Sequence, residues 1–459
     1  MLRIISFTSL SLFYLATNLL ANELTIKKIG DSVVDPQALY FTNGSWGLCV
    51  NGQSFQQDAL TTFKDFQYAT YYDVQRLLCV ARRKAGSPKW EVIRFTDHHF
   101  KGNDSHNVAV IGICPRDGTI HLSFDHHGAP LHYRVSQLGV ALHPKDFSWS
   151  TNLFGEIKNE LEPGKKLEHV TYPRFFRTPD GGLQFGCRIG SSGNGDKCLA
   201  DYDAKSGTWK DFGACFGSTG DYLGQKTRNP YLNGYTYDAK GRLHVTWCWR
   251  ERGDPMTNHD LDYAWSDDHG ASWFNNAGEK IGERGTQFVT VESPGVRVVE
   301  IGMKRGLANA TTQAVDRHNR IHLVTFHLPD DAAQQPDWNA TRKLTRYFHY
   351  WRDEKGEWHR NEMNFIGSRP ALWFDKNENA YIVFPGDRFN PSQDLSIAAA
   401  TAKSRWTDWK IIYRERGPFS GQPQLDHYNK PGVMSVYLQE APKVANGTAS
   451  PLRVLEFKP

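Results

Sequence analysis

One hairpin in the sequence places a tyrosine and an arginine face to face. TYPRFFRTPDGGLQFGCRIGSSG, residues 171–193, has the pattern of two extended arms joined by a turn near Asp180 and Gly181. Counting outward from that turn places Tyr172 directly opposite Arg188, at the open end of the hairpin. The pair could be a cation–π contact on a sheet surface, or a proton-transfer group held beside a cation.

The preceding hairpin has a pair of titratable side chains at the same position. In HNVAVIGICPRDGTIHLSFDHHG, residues 106–128, a turn centred near Arg116 places His106 opposite His126. Equivalent strand ends converge around the central channel of a β-propeller. The sequence therefore predicts that the two pairs share one site.

The four side chains suit β-elimination at a uronic acid. The reaction needs a cation that neutralises the C6 carboxylate, a base that removes the C5 proton and an acid that protonates the O4 leaving group. Arg188 suits the first task, because a guanidinium matches a carboxylate and stays charged. His106 and Tyr172 supply the acid and the base in an order that the sequence leaves open, and an adjacent guanidinium favours phenolate. His126 could orient or help to neutralise the substrate acid.

Further polar residues lie at the same end of other predicted repeats. Asn107 and Arg250 are predicted to bind substrate, and Arg369 and Arg388 are secondary candidates. Cations there could hold sulfates and neighbouring uronates. Solvated charges on the rim of the site explain these residues equally well.

A turn followed by a short strand recurs along the chain and predicts the fold class. Each instance has an acidic or Asn/Gly turn and then alternating apolar and polar residues. The instances begin at Tyr72, Pro115, Pro179, Asp238, Asp316, Asp375 and Asp426. The pattern predicts an all-β protein, a seven-bladed β-propeller of four-stranded antiparallel blades.

Two other recurring features are interpreted as structural. SDDHGASW, Ser266 to Trp273, matches the Asp-box pattern, in which the aspartate bonds the turn backbone and the tryptophan packs between sheets. His121, His244 and His322 each lie just after a repeat turn, at the end opposite the predicted site. Neither feature indicates a particular chemistry.

Composition limits the classes of partner and the cellular location. The chain has 459 residues and a formal net charge of +4, which is too small an excess to indicate nucleic-acid binding. Residues 1–21 resemble a cleaved secretory signal peptide, and no later stretch is apolar and long enough to span a membrane. We expect residues 22–459 to form one catalytic domain, monomeric and secreted or periplasmic, acting on an anionic sulfated polysaccharide.

Seven cysteines leave at least one thiol unpaired in a monomer. Several occupy inward-facing strand positions, where a small buried thiol is ordinary. The proposed chemistry needs no cofactor. A structural zinc held by cysteines and histidines between Cys187 and His259 is an additional hypothesis, although their spacing is irregular.

Long segments of the chain resemble the BNR-repeat polysaccharide lyases, and most closely the ulvan lyases of marine bacteria. They are NDSHNVAVIGICPRDGTIHLSFDHHGAPLHYR, TYPRFFR with FGCRIGSSGNGD, and YLNGYTYDAKGRLHVTWCWRE with HDLDYAWSDDHGASW. The resemblance covers most of the mature chain and is densest from Asn103 to Trp273.

The resemblance implies a fold, a reaction and a set of site residues. It implies a seven-bladed propeller that cleaves ulvan, a polymer of sulfated rhamnose and uronate, and leaves an unsaturated uronyl end. By motif, the family's two histidines, tyrosine and arginine correspond to His106, His126, Tyr172 and Arg188. Tyrosine and the first histidine would transfer protons while arginine neutralises the uronate. Some members bind a structural zinc, but serines at 191 and 192 stand where a ligand is expected.

Two other functions are compatible with a propeller that carries Asp boxes. A sialidase-like glycoside hydrolase would use an arginine triad and a Tyr–Glu pair, and the early repeats contain no matching acidic pattern. A non-catalytic sugar-binding propeller would keep an aromatic groove and tolerate the loss of Tyr172. Within the lyase hypothesis, an open groove without a blocking insertion favours cleavage inside the polymer.

Overall fold

The protein is built almost entirely from β-strands in the computed structural model, which describes residues 24–53, 58–387, 389 and 393–459. Within these ranges the only α-helix is α1 (Trp338–Arg342), and no helix there has the length and apolarity needed to cross a membrane. The predicted all-β class is confirmed. The proposed signal peptide, residues 1–21, and Arg388 lie outside the described residues.

The first half of the described chain contains seventeen strands, several of them short. They are β1 (Lys27–Leu39), β2 (Leu60–Phe63), β3 (Phe66–Tyr72), β4 (Leu77–Lys84), β5 (Glu91–His99), β6 (Ala109–Ile113), β7 (Ile120–Phe124), β8 (His127–Ala129), β9 (Tyr133–Val135), β10 (Val170–Arg177), β11 (Leu183–Ser191), β12 (Asn194–Asp203), β13 (Thr208–Phe216), β14 (Thr219–Tyr222), β15 (Gln225–Thr227), β16 (Asn229–Leu232) and β17 (Thr236–Tyr237).

The second half of the described chain continues the same pattern. Its strands are β18 (Leu243–Arg250), β19 (Asn258–Ser266), β20 (Ser272–Phe274), β21 (Lys280–Glu283), β22 (Arg297–Val299), β23 (Thr312–Val315), β24 (Ile321–His327), β25 (Arg346–Arg352), β26 (Trp358–Glu362), β27 (Ala371–Phe374), β28 (Ala380–Pro385), β29 (Leu395–Ala400), β30 (Lys410–Glu415), β31 (Phe419–Leu425), β32 (Met434–Glu440) and β33 (Ala449–Lys458).

The sheets form a closed ring, and the number and size of its blades differ from the prediction. Among the described residues, six sheets have four or more strands: β2–β5, β8 with β10–β13, β16–β22, β23–β26, β27–β30, and β1 with β31–β33. The sheet β6-β7-β9 also lies in the ring but has only three strands, and β14-β15 is a separate two-stranded ribbon. Counting sheets of four or more strands as blades, the protein is a six-bladed β-propeller, and the prediction of seven four-stranded blades is wrong.

Counting repeats in the sequence could not reveal this difference in the number and size of the blades, because the repeated sequence pattern marks only the turn between two inner strands of a sheet. The hairpin β6–β7 carries that signal as clearly as any other. Its outer side, however, is only the three-residue strand β9, after which the chain enters the long excursion of residues 143–169. The number of outer strands depends on segments that have no repeated sequence.

The ring closes by pairing the two ends of the described chain. Strand β1 is antiparallel to β33 and completes the blade formed by β31–β33. Strand β1 in turn packs against β3 of the next blade, and β31 packs against β28 on the other side. Neighbouring blades cover both faces of most inner strands, so alternate polar residues such as His121 and Ser123 are buried together with the apolar ones.

The two features interpreted as structural are confirmed as such. In the Asp box, Asp268 accepts hydrogen bonds from the Ser266 hydroxyl and the Ser272 backbone N–H, both at 2.8 Å, and Trp273 is fully buried. The three repeated histidines are also buried. His121 bonds Tyr133 and His244 bonds Tyr263.

Candidate active site

A β-bulge, which the sequence count did not include, positions Tyr172. Strands β10 and β11 pair Arg174 with Gly186, but beyond the bulge Thr171, not Tyr172, pairs with Arg188. Two residues of β10 therefore face one residue of β11, and Tyr172 adopts a left-handed backbone conformation with φ of 55°. A bulge re-aims the side chain that it contains. Here it brings the Tyr172 ring to 5.0 Å from the Arg188 guanidinium. The predicted contact between the two residues therefore forms, although they are not paired in the strand register.

Arg188 has a buried guanidinium with unused hydrogen-bonding capacity. Its side chain is 1% exposed, and Nη2 donates to the Thr171 hydroxyl at 2.8 Å. Its Nε and Nη1 atoms have no hydrogen-bond partner among the described residues. A buried donor without a partner costs free energy, and a substrate carboxylate that accepts from Nη1 would remove that cost there. Lys197, directly across on β12, lies 4.8 Å from the Tyr172 ring, and burial together with Arg174 and Arg188 lowers its pKa well below the ordinary value of lysine.

The second predicted hairpin brings a different histidine to His106. The β6–β7 ladder pairs Ala109 with Phe124, and continuing that register places His106 opposite His127 instead of His126. The two imidazoles stack with centroids 4.1 Å apart, and the His106 ring lies 5.9 Å from the Tyr172 ring. The predicted turn centre was off by half a residue, because the loop between the strands has an even number of residues, the six from Cys114 to Thr119.

One carboxylate holds both stacked imidazoles. Asp104 bonds Nδ1 of His106 at 2.7 Å through one oxygen and Nδ1 of His127 at 2.6 Å through the other. Burial disfavours the charged carboxylate, but these hydrogen bonds outweigh burial and hold the pKa of Asp104 well below its ordinary value. With Nδ1 bonded to a carboxylate, Nε2 of His106 is the ring nitrogen that can accept a proton.

The pKa values of the two proposed proton-transfer groups are moved in opposite directions. Burial lowers the pKa of His106, assisted by the neighbouring His127 and opposed by Asp104, so the imidazole is neutral at pH 7. Burial and the neighbouring Tyr231 raise the pKa of Tyr172, and this outweighs Arg188 and Arg250. Tyr172 is therefore a neutral phenol, contrary to the phenolate that its arginine neighbour alone would favour.

Tyr231 is a buried neighbour that the sequence reasoning did not single out. Its ring lies 5.9 Å from that of Tyr172 and 4.4 Å from the Arg250 guanidinium, whose Nη1 donates to the Tyr231 hydroxyl at 3.3 Å. Burial raises the pKa of Tyr231, but Arg250 and Arg188 lower it by more, so the resulting pKa is below the ordinary value of tyrosine. The two tyrosines are thus unequal, and Tyr172 is the one that holds its proton more tightly.

Arg250 and Arg369 meet beside these tyrosines. Arg250 Nη2 donates to the Asn309 side-chain oxygen at 2.7 Å, and Arg369 donates to the same oxygen at 3.2 Å and to the Asn309 carbonyl at 2.9 Å. Burial, together with repulsion from Arg250, lowers the pKa of Arg369 to about 10. Arg250 thus contacts the site through Tyr231, and Arg250 and Arg369 together form a cationic wall beside the tyrosines.

His126 and Asn107 lie on one side of this cluster. His126 is fully buried; its Nε2 accepts the His132 backbone N–H at 2.7 Å, and burial lowers its pKa to about 3. Asn107 donates to Asp125 at 2.6 Å. Nδ1 of His126 and Oδ1 of Asn107 are buried and have no partner among the described residues. Their predicted roles remain predictions.

The missed residues carried weak sequence signals. Asp104 stands two residues before His106, where an aspartate can bond a following backbone N–H, as it does here at 2.9 Å. His127 would have been found by a count from the correct turn centre. Lys197 and Tyr231 lie on strands whose pairing with the site cannot be counted from one turn.

The structural zinc between Cys187 and His259 remains a prediction. All seven cysteines are buried and free, and burial raises the pKa of Cys187 to about 12. Cys187 pairs with Cys198 across β11 and β12 without a disulfide. Within the described part of this stretch, no three side chains bring ligand atoms within 4.8 Å of one another, so these residues do not fit a metal in this arrangement.

Comparison with known proteins gives consistent matches. The profile described as "BNR repeat-containing family member" matches residues 66–366. An "Ulvan lyase, long isoform" from Pseudoalteromonas sp. (strain PLSV) is 24% identical over 449 residues, covering 86% of this chain and 42% of that protein. An "Ulvan lyase, short isoform" from Alteromonas sp. (strain LOR) is 25% identical over 320 residues, covering 58% and 57%. The chain thus spans less than half the length of the long-isoform relatives.

Solved structures share the fold. The crystal structure of polysaccharide lyase Uly1 superimposes with a TM-score of 0.73 at 19% identity, covering 95% of this chain and 100% of that one. A polysaccharide lyase PL25 ulvan lyase, bound to -[GlcA(1-4)Rha3S]-, gives a TM-score of 0.65 at 14% identity, covering 91% and 95%.

Proposed function

The chain belongs to the BNR repeat-containing family, and on that premise we propose that it is a polysaccharide lyase that cleaves ulvan by β-elimination at the uronic acid. The proposal is supported by the matches to ulvan lyases over most of this chain. It is also supported by the chemistry of the site, which contains a cation, a neutral imidazole and a neutral phenol in contact with one another.

One observation carries the proposal: Arg188 presents two buried, unsatisfied N–H groups beside Tyr172, across from His106. A uronate carboxylate that accepts from Nη1 is neutralised by this cation, which reduces the charge repulsion toward a developing C5 carbanion. The wall formed by Arg250 and Arg369 favours the same anionic substrate.

The protonation states assign the remaining roles. Neutral His106 takes the C5 proton, the C5–H electron pair forms the C4–C5 double bond, and the C4–O4 bond breaks. Tyr172 gives its proton to O4, so the products are an unsaturated uronyl end and a new hydroxyl end. No cofactor and no water molecule is consumed. By accepting the Nδ1 proton of His106, Asp104 fixes the tautomer in which Nε2 is the basic nitrogen.

The alternative functions fit the site less well. A sialidase-like hydrolase needs a glutamate paired with its catalytic tyrosine, and most other glycoside hydrolases need a pair of carboxyl groups on either side of the scissile bond. The nearby carboxylates are committed elsewhere: Asp104 bonds two imidazoles, and Asp125 bonds Asn107 and His98. A non-catalytic sugar-binding propeller would tolerate the loss of Tyr172, which a Tyr172→Phe variant tests.

The proposal extends to the oligomeric state, the mode of cleavage and the location of the enzyme. We infer that the protein acts on the anionic sulfated polymer as a monomer, cuts within the chain, and works after export as a secreted or periplasmic enzyme. Gel filtration with light scattering would test the monomeric state. Fractionation of the producing cells would test the location.

The test of function is to add the purified protein to ulvan and follow the ultraviolet absorbance of the new C4–C5 double bond. We expect absorbance to rise while viscosity falls, and Arg188→Met to abolish the rise. Arg116→Met is the matched control, because Arg116 is half exposed at the turn end of the neighbouring hairpin. New reducing ends without absorbance would show a hydrolase, and neither signal would indicate a binding protein.

A further inference from the structure

A second cluster of histidines and an aspartate lies next to the proposed active site. His98 is in strand β5, Asp125 directly follows β7, and His132 directly precedes β9. His98 Nε2 lies 2.8 Å from one carboxylate oxygen of Asp125, and the rings of His98 and His132 are 4.9 Å apart. Each of the three offers a ligand atom, and these atoms all lie within 4.8 Å of one another.

The partners of His132 and Asp125 match those of metal ligands. A metal-binding histidine usually donates its other ring N–H to a carbonyl or carboxylate, which fixes the ring. Nδ1 of His132 lies 3.2 Å from the Phe124 carbonyl and 3.3 Å from the Asp125 carbonyl, so Nε2 is left for a metal. The second carboxylate oxygen of Asp125 is held by Asn107 at 2.6 Å.

Two further features characterise the immediate surroundings of the cluster. His126, whose ring centre is 5.4 Å from that of His132, has a buried Nδ1 that no described residue satisfies. Asp125 is held at φ of 62°, a conformation that costs free energy for a residue other than glycine. A cleft of about 440 Å³, lined by Asp97, His98, His99, Lys101, Gly102 and Asp125, connects the cluster to solvent.

We propose that His98, Asp125 and His132 bind a divalent transition-metal cation of the zinc class. Two imidazoles and one carboxylate are a donor set that suits such ions and not calcium or magnesium, which prefer oxygen ligands. The site is distinct from the cysteine–histidine zinc suggested between Cys187 and His259.

The metal would act on the proposed active site by fixing one short segment. Residues 125–132 carry Asp125 at one end and His132 at the other, with His126 and His127 between them. A cation bound to both ends would hold the turn in the conformation in which His127 stacks on His106. Metal binding itself does not depend on the proposed reaction, whereas this effect on activity does.

The experiment measures metal directly. The purified protein is stripped with a chelator, loaded with Zn²⁺ or Co²⁺, and its metal content and affinity are determined by mass spectrometry and calorimetry. We expect one ion per chain. His98→Gln and His132→Gln should each weaken metal binding by at least about 10- to 100-fold, which is the loss typical even when a residue that only hydrogen-bonds a metal ligand is replaced. The Co²⁺ form should show visible bands without thiolate-to-cobalt charge transfer in the near ultraviolet.

His359→Gln is the control, because Asp353, Glu357 and His359 form another group whose ligand atoms lie within the same distance of one another, with one histidine and two carboxylates. Unchanged metal affinity in both His98→Gln and His132→Gln, with circular dichroism confirming that they fold, would overturn the proposal. So would loss of metal in His359→Gln alone, thiolate bands in the Co²⁺ spectrum, or no bound metal in the native protein. Because the readout is metal content, its result is separate from whether ulvan is cleaved.

Discussion

At the scale of single residues, the site depends on environments that move two pKa values apart. His106 and Tyr172 have ordinary values several units apart in solution, and burial pushes them further apart by disfavouring the charged form of each. A neutral base and a neutral acid are what β-elimination needs at the start of the reaction.

The first prediction concerns Tyr172. Tyr172→Phe removes only the hydroxyl proposed to protonate O4, so kcat should fall by about 100- to 10,000-fold while the affinity for ulvan oligosaccharides stays close to that of the wild type. Initial rates of absorbance and calorimetric titration measure the two quantities. Tyr413→Phe, which loses a hydroxyl bonded to Glu415 on an outer strand, is the control and should stay active. A fully active Tyr172→Phe enzyme would contradict the assignment.

The second prediction concerns the pH dependence of the base. Asp104 raises the pKa of His106 and His127 lowers it, while burial, the largest effect, lowers it in either case. A base must be unprotonated, so activity falls as pH drops through its pKa. The acidic limb of kcat/KM against pH should therefore move to lower pH in Asp104→Asn and to higher pH in His127→Gln. Shifts in the same direction in both variants would show that His106 is not the titrating base.

At the scale of structural elements, one extra residue in β10 decides whether a tyrosine reaches the site. The bulge opposes two residues of β10 to Cys187 alone, and it gives Tyr172 a positive φ. Bulges are enriched next to active sites because they change the direction of a side chain without breaking the sheet.

The bulge makes a third prediction. Deleting Pro173 would leave Thr171 opposite Arg188 and Arg174 opposite Gly186 with one residue between them on each strand, which restores a regular ladder. We expect this variant to fold, with circular dichroism like that of the wild type, and to lose activity as severely as Tyr172→Phe. Pro173→Ala keeps the residue count and should remain active. Equal activity of the two variants would show that the bulge does not position Tyr172.

At the scale of the whole molecule, contacts between the last and first blades hold the ring closed. Asp426, which follows β31, is buried and accepts from the backbone N–H and hydroxyl of Thr62 at 3.0 and 2.5 Å, and from Gln67 at 2.8 Å. Thr62 and Gln67 belong to β2 and β3. One carboxylate thus joins segments that are far apart in sequence.

The fourth prediction follows from this closure. Asp426→Ala leaves three buried donors without an acceptor, and we expect the free energy of unfolding to fall by about 3 kcal/mol, as judged from urea denaturation. The rate on ulvan at low temperature should be nearly unchanged, because the active site lies on other blades. The control is Asp330→Ala, which removes an exposed partner of Arg360 and should have little effect. Equal stability of both variants would contradict the role of Asp426.

The sequence by itself determined the all-β class, the structural role of the Asp box and its buried tryptophan, and the convergence of His106, Tyr172 and Arg188. These properties are local, because a turn and an alternating strand set which residues lie near one another over about ten positions. The resemblance to ulvan lyases rests on the same local segments.

Only the tertiary structure decided the number of blades, the bulge at Tyr172, and the neighbours Asp104, His127, Lys197 and Tyr231. A bulge leaves no mark in a count outward from a turn, and a half-residue error in the turn exchanges His126 for His127. The physical reason is that pairing between strands is cooperative over the whole sheet. Burial, which moves the pKa values of the site, exists only after neighbouring blades have closed around it.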